Sequence, residues 1–162
     1  MRKIYNTSKG FTLIECLLYM GIFSILLVVT VQMFGSIFDL QTESEATSSV
    51  SQDGRYILNR MAYDLMQAQS VASPNSSTLT FLINGASDSY FISGGNLNFT
   101  NGAIGATDRL NSSDTTVSNL NFTEVENASG TSTVQIIFTL SSVAVKKSGN
   151  EIKTFETAIG TR

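Results

Sequence analysis

Residues 9–29 read KGFTLIECLLYMGIFSILLVV. From Phe11 to Phe38 the chain runs for 28 residues with one charged side chain, Glu15. As an α-helix this run is about 42 Å long, and about 20 residues already suffice to cross a bilayer. A carboxylate at the centre of such a helix costs about 2.5–3.5 kcal/mol on insertion scales, and less near the interface. Glu15 therefore needs a reason. A cleavable secretory signal has an apolar core of about 7–15 residues followed by small residues at its cut site. This run is longer, and no A-x-A-like site follows it. A plain single-pass anchor fits the length but leaves Glu15 unexplained.

The flanking charges are sorted by sign. Arg2, Lys3 and Lys9 precede the run, the next base is Arg55, and Asp39, Glu43 and Glu45 come first on the far side. The positive-inside bias predicts a cytoplasmic N-terminus, a single membrane pass, and export of everything after about residue 38. The chain has 162 residues and a formal net charge of −3, so no general attraction to nucleic acid or anionic lipid follows. It has no histidine and one cysteine, Cys16, inside the apolar run. An intramolecular disulfide, a His-based triad, a His-ligated metal and a Cys-based zinc site are all excluded. No cofactor or metal is expected, and the chain reads as a non-enzyme. Cys16 itself reads as a small packing residue, with an intersubunit disulfide or a lipid as rival uses.

Past Phe38 the helical pattern continues with a new character. Residues 39–54 are polar, and then Val50, Gly54, Ile57, Leu58, Met61, Leu65, Ala68 and Ala72 follow i, i+3, i+4 spacing. Arg60 and Asp64, four apart, read as a solvent-side pair opposite that stripe. Ser73-Pro74 stops the helix, because the residue before proline is pushed out of the α region. The spacing thus predicts one helix over about 11–72, loosened near Gly35 and Gly54, apolar all round in its first half and amphipathic in its second. Tyr56 and Tyr63 are expected to pack on a sheet or a neighbour.

Alternation then takes over. STLTFLI, SYFIS and LNFT, separated by NGASD and GGN, read as a meander of short antiparallel strands. NGAIGATDRLNSSD reads as a loop, VSNLNFTEV as a fourth strand and STVQIIFTL as a fifth. Residues 143–146 and 151–159 make a final hairpin around KSGN. The predicted fold is α+β: a long N-terminal helix whose second half packs on a C-terminal antiparallel sheet. Its segments are 1–10 (leader), 11–38 (membrane or filament-core helix), 39–73 (amphipathic stalk) and 74–162 (β-rich head).

The stretch KGFTLIE resembles the class III signal of type IV pilins and pseudopilins: a short basic leader ending in glycine, then phenylalanine, then glutamate four residues on. The apolar helix, its amphipathic continuation and the sheet-rich head resemble that family's architecture over the whole chain. The resemblance implies cleavage between Gly10 and Phe11 by a membrane prepilin peptidase, N-methylation of Phe11, and pairing of Glu15 with the Phe amine of a neighbouring subunit. Loss of the ten leader residues would leave 152 of the 162, with seven bases against thirteen acids. The implied partners are other pilins or pseudopilins, the peptidase, the inner membrane and an assembly platform. GRYILNRMAYDLMQAQSV and the C-terminal strands are similar to J-type minor pseudopilins of type II secretion and W-type minor pilins. Many major pilins carry a proline in the membrane helix and a C-terminal disulfide loop; this chain has neither.

Other signals are weaker. Five N-x-S/T triplets, at Asn75, Asn98, Asn111, Asn121 and Asn127, are expected by chance in an Asn/Ser/Thr-rich head. Asp88, Asp108 and Asp114 fall in predicted loops but lack the spacing of a calcium loop. Lys146, Lys147 and Lys153 form a thin basic cluster, short of what phosphate binding usually recruits, so nucleic acid is not expected as a partner. The rival functions are a head that binds DNA or a surface, and a substrate that is merely anchored.

Overall fold

The apolar run and the stripe behind it form a single α-helix, α1 (Leu13–Gln67), in a computed structural model that describes residues 10–75, 77–126 and 132–161. Arg2, Lys3, Lys9, the triplet at Asn127 and the terminal Arg162 lie outside the described residues. The chain divides into two compact units, Met1–Leu40 and Gln41–Arg162. In the first, the large apolar side chains from Phe11 to Phe38 are all about half exposed or more. Among the described residues this is one helix long and apolar enough to cross a membrane. Three of its hydroxyls are satisfied without water: Ser24, Thr30 and Ser36 each donate to the carbonyl four residues back, at 2.8, 2.8 and 3.2 Å. The helix runs unbroken through Gly35, so the expected loosening there is not found.

In the second unit the helix meets two antiparallel sheets, where a single sheet was expected. Strands β1 (Ser70–Asn75), β2 (Thr78–Ile83), β3 (Ala86–Ser93), β4 (Asn96–Asn101) and β5 (Ala106–Arg109) form one sheet in sequence order. Strands β6 (Thr115–Glu126), β7 (Ser132–Lys146) and β8 (Gly149–Gly160) form the other. Val50, Ile57, Met61 and Leu65 of α1, with Ala68 just beyond its end, join one core with Leu79, Phe81, Tyr90, Leu97 and Phe99 of the first sheet and Phe122, Ile136, Phe138 and Phe155 of the second.

The turns follow local chemistry. Asn84 and Gly85 both take positive φ, 50° and 81°, which suits a two-residue hairpin whose twist matches its strands. In β6, Val117, Leu120 and Phe122 are all buried although the first two are three positions apart, an odd spacing that alternation would send to opposite faces. Asn119 (φ 51°) makes this possible, since the register slips by one residue between Ser118 and Asn121. The bulge turns the following strand so that both apolar stretches face the core.

Four further expectations are corrected. The helix ends at Gln67, and residues 70–75 pair with β2 as an edge strand. Pro74 is compatible with that edge, and Ala72 is exposed on it and not part of the helical stripe. Residues 106–109, read as loop, form β5. Gly54 loosens nothing: it is buried, and a Cβ there would overlap the ring of Phe155. Tyr56 and Tyr63, expected to pack on a sheet or a neighbour, are more than half exposed in this chain.

Asp64 is the fourth. It is buried (4% exposed), three residues beyond Met61 and so on the core side, where Arg60 donates to it at 2.8 Å and the Tyr90 hydroxyl also donates to it. Arg60 in turn lies 5.0 Å over the Phe99 ring. Burial opposes the charge of Arg60, but Asp64 outweighs it and raises the guanidinium pKa. Burial, then the bond to Asp64, pushes the Tyr90 hydroxyl well above the ordinary tyrosine range. An acid group whose folded pKa is raised lends stability that is complete below the unfolded value and is lost as pH rises past it. Above about pH 10 the wild-type head should therefore lose about 1.4 kcal/mol per pH unit from this group. Urea titrations from pH 8 to 11 should show Tyr90→Phe less stable at pH 8 but with a shallower alkaline decline. An equally steep decline would exclude Tyr90 as its source.

Candidate functional site

The residues singled out by the sequence meet at the start of α1. Gly10 and Phe11 precede the helix and are exposed, Phe11 by 73%. A Cβ at Gly10 would meet nothing within 4 Å, so packing within this chain makes no demand for glycine there. Thr12 opens the helix: its carbonyl accepts from the amides of Glu15 (3.1 Å) and Cys16 (3.2 Å), and its hydroxyl accepts from the Glu15 amide at 3.3 Å. Thr12-Leu13-Ile14-Glu15 thus has the spacing of a capping box, with the glutamate three residues into the helix. A carboxylate in the first turn is favoured by the positive end of the helix dipole. The sequence carried this signal, although only the charge of Glu15 was read from it. The Phe11 ring lies 5.8 Å from that of Tyr19.

Glu15 is exposed, and among the described residues no side chain donates to its carboxylate. Cys16 is an exposed free thiol beside it. The start of α1 therefore presents an exposed aromatic at Phe11, a capped helix start and a carboxylate one turn further on.

In the head, polar residues fasten elements to one another. Asp53, which the sequence reading passed over, accepts from the Ser112 amide (2.8 Å), the Ser112 hydroxyl (2.8 Å) and the Thr115 hydroxyl (2.5 Å). Asn111 is buried; its carbonyl oxygen accepts from the Leu97 amide at 3.0 Å, and its amide nitrogen donates to the Thr115 carbonyl at 2.7 Å. Of the N-x-S/T triplets, the one at Asn111 is therefore a structural clamp. The only hint of Asp53 in the sequence was its place beside Gly54, three residues from Val50.

Asp88, Asp108 and Asp114 are not brought together. Buried Asp88 accepts from the Gly102 amide at 2.8 Å, Asp108 is exposed on β5, and Asp114 is an exposed loop residue beside β6. Among the described residues, no group of three or more metal-ligating side chains is found. The basic cluster is also partly committed within the fold. Lys146 is ion-paired with Glu151, and Lys153 lies 5.3 Å over the Phe155 ring.

Residues 5–31 match the family model described as the prokaryotic N-terminal methylation motif. No curated protein and no solved structure matches the chain. The matched stretch contains Gly10, Phe11 and Glu15 and leads straight into the apolar helix. The chain therefore couples the N-terminal signal of type IV pilin-like proteins to an α+β, pilin-like architecture.

Proposed function

We propose that this chain is a minor pilin or pseudopilin, a non-enzymatic subunit assembled with related subunits into a type IV pilus or a type II secretion pseudopilus. In this reading a prepilin peptidase removes residues 1–10 at the inner membrane and methylates Phe11. Residues 11–38 then move from lipid into a bundle of apolar helices, with the head on the exported side. The J-type or W-type minor class is the best fit to the stalk and C-terminal patterns.

One observation carries the reading: Glu15 stands exposed on an apolar helix, with no donor among the described residues. A carboxylate in that setting favours whichever neighbour supplies a cation, and the new amine of Phe11 is one. Gly10, Gly21 and Gly35 add support, because a Cβ at any of them would touch nothing within 4 Å. Each glycine inside a helix costs about 1 kcal/mol relative to alanine. A peptidase that grips Gly10 and helices that approach Gly21 and Gly35 closely would account for all three.

Mass spectrometry of the chain from its native membrane tests the first step. The expected N-terminus is methylated Phe11, and Gly10→Val should leave the leader attached. An intact Met1 on the wild-type chain would exclude the pilin pathway.

A further inference from the structure

Three times in the chain an asparagine or aspartate is followed by glycine: Asp53–Gly54, Asn84–Gly85 and Asn101–Gly102. Such a pair can react with itself. With no Cβ in the way, the glycine amide nitrogen can reach the side-chain carbonyl carbon one residue back and close a five-membered ring. The sequence ranks the two asparagine pairs alike. The fold does not.

Asn101–Gly102 is held shut. The Asn101 side-chain oxygen accepts from the amides of Ala103 (3.0 Å) and Ile104 (3.3 Å). The Gly102 amide donates to buried Asp88 at 2.8 Å. A Cβ at Gly102 would overlap the Ser87 carbonyl, so the backbone there is packed as well as bonded. Asp53–Gly54 is also held: its peptide lies inside α1, and Asp53 accepts from Ser112 and Thr115.

Asn84–Gly85 is open. It is the two-residue turn between β2 and β3, both residues are exposed, and a Cβ at Gly85 would meet nothing within 4 Å. The hairpin is closed by the pair Ile83 and Ala86, whose bonds to each other leave the Gly85 amide to solvent. Among the described residues nothing bonds that amide or the Asn84 side chain.

We infer that Asn84 is a site of self-modification, with its side-chain amide as the substrate and the Gly85 nitrogen as the nucleophile. The Gly85 nitrogen gives its proton to solvent base and bonds to the Asn84 side-chain carbonyl carbon. The bond from that carbon to the side-chain nitrogen breaks, and ammonia leaves with a proton from water. Water then opens the ring at either carbonyl. One opening gives aspartate; the other, at the main-chain carbonyl, gives isoaspartate. No electrons change hands, and the net exchange is one water taken up for one ammonia lost. One new carboxylate moves the formal charge of the chain from −3 to −4. Aspartate tolerates the positive φ of 50° at this position as asparagine does, so that product keeps the turn. Isoaspartate adds a carbon to the main chain, which a two-residue turn has no room to absorb.

The test uses the purified full chain in detergent, aged in mildly alkaline buffer and sampled over time. Trypsin cuts after Arg60 and Arg109, so one peptide, 61–109, holds both asparagine pairs and fragment masses assign each. Asn84 should convert roughly a hundredfold faster than Asn101, which must first break three bonds. In urea the two should convert at similar rates. Asp88→Ala frees the Gly102 amide and should speed conversion at 101 while the rate at 84 holds. Where that variant does not fold, the wild-type ratio decides alone. Equal rates at the two asparagines in the folded chain overturn the inference, as does a folded chain in which neither converts. So does conversion at 84 to aspartate alone, because direct hydrolysis of the side-chain amide never passes through the ring.

Discussion

A chain carrying Glu15→Lys is expected to be cut after Gly10 and methylated at Phe11, yet to disappear from the filament. In a packed apolar bundle, breaking a buried ion pair by removing one partner costs about 3–5 kcal/mol. At about 1.4 kcal/mol per tenfold, that corresponds to incorporation reduced by roughly a hundredfold or more. Lysine goes beyond loss, because it sets a like charge against the neighbour's amine. Glu15→Gln is the more discriminating variant. Glutamine serves in a capping box as glutamate does, so the Thr12 start of α1 is kept while the charge is removed. If pairing is what matters, Glu15→Gln is also depleted; if the cap alone matters, it assembles normally. The readout is the ratio of subunit in sheared filaments to subunit in membranes. Wild-type incorporation of Glu15→Lys would refute the proposed role of this carboxylate.

The second large effect is expected in the head, at Gly54. Replacing a mid-helix glycine by alanine should stabilise a helix by about 1 kcal/mol. Here the added Cβ overlaps the Phe155 ring, which is itself stacked on Phe138 at 5.4 Å between centroids. Overpacking of this kind costs about 1–3 kcal/mol, enough to cancel or reverse the gain. Gly54→Val adds branched bulk in a space that holds none, and a loss of about 3 kcal/mol is expected for it. Denaturant titration of the purified chain measures both. A double-mutant cycle with Phe155→Leu should return a coupling of about 1–2 kcal/mol, because the smaller side chain makes room for the new methyl group. A Gly54→Val head as stable as wild type would mean that helix and ring do not meet.

Most of the fold could be read from local patterns, and the misses share a cause. The apolar run, the stripe from Val50 to Ala68 and the alternation of β2, β6 and β7 are periodicities within one segment, and each element formed where its pattern lay. β1 and β5 have no such pattern. SVASPN contains a proline, and ATDR is wholly polar after its first residue. They are strands because β2 and β4 offer unpaired edges, and β5 adds a bond between the Thr107 and Thr100 hydroxyls at 2.8 Å. Asp64 was misplaced for a similar reason. A carboxylate beside Met61 and Leu65 makes sense only once Tyr90, 26 residues later, is known to meet it. The candidate site was the more legible part, because a lone acid in a long apolar run is conspicuous without any partner in view. Its cap by Thr12 is equally local, a Thr-x-x-Glu spacing at the start of the apolar run.

Asp53 and Gly54 are adjacent, and each fastens the helix to a different structure: one to the loop at Ser112 and Thr115, the other to the ring on β8. If the chain serves as the fibre subunit proposed above, a pull carried by α1 would meet both fastenings within a single turn of the helix. Two holds on neighbouring residues would then share that load, and loss of one would pass it directly to the other.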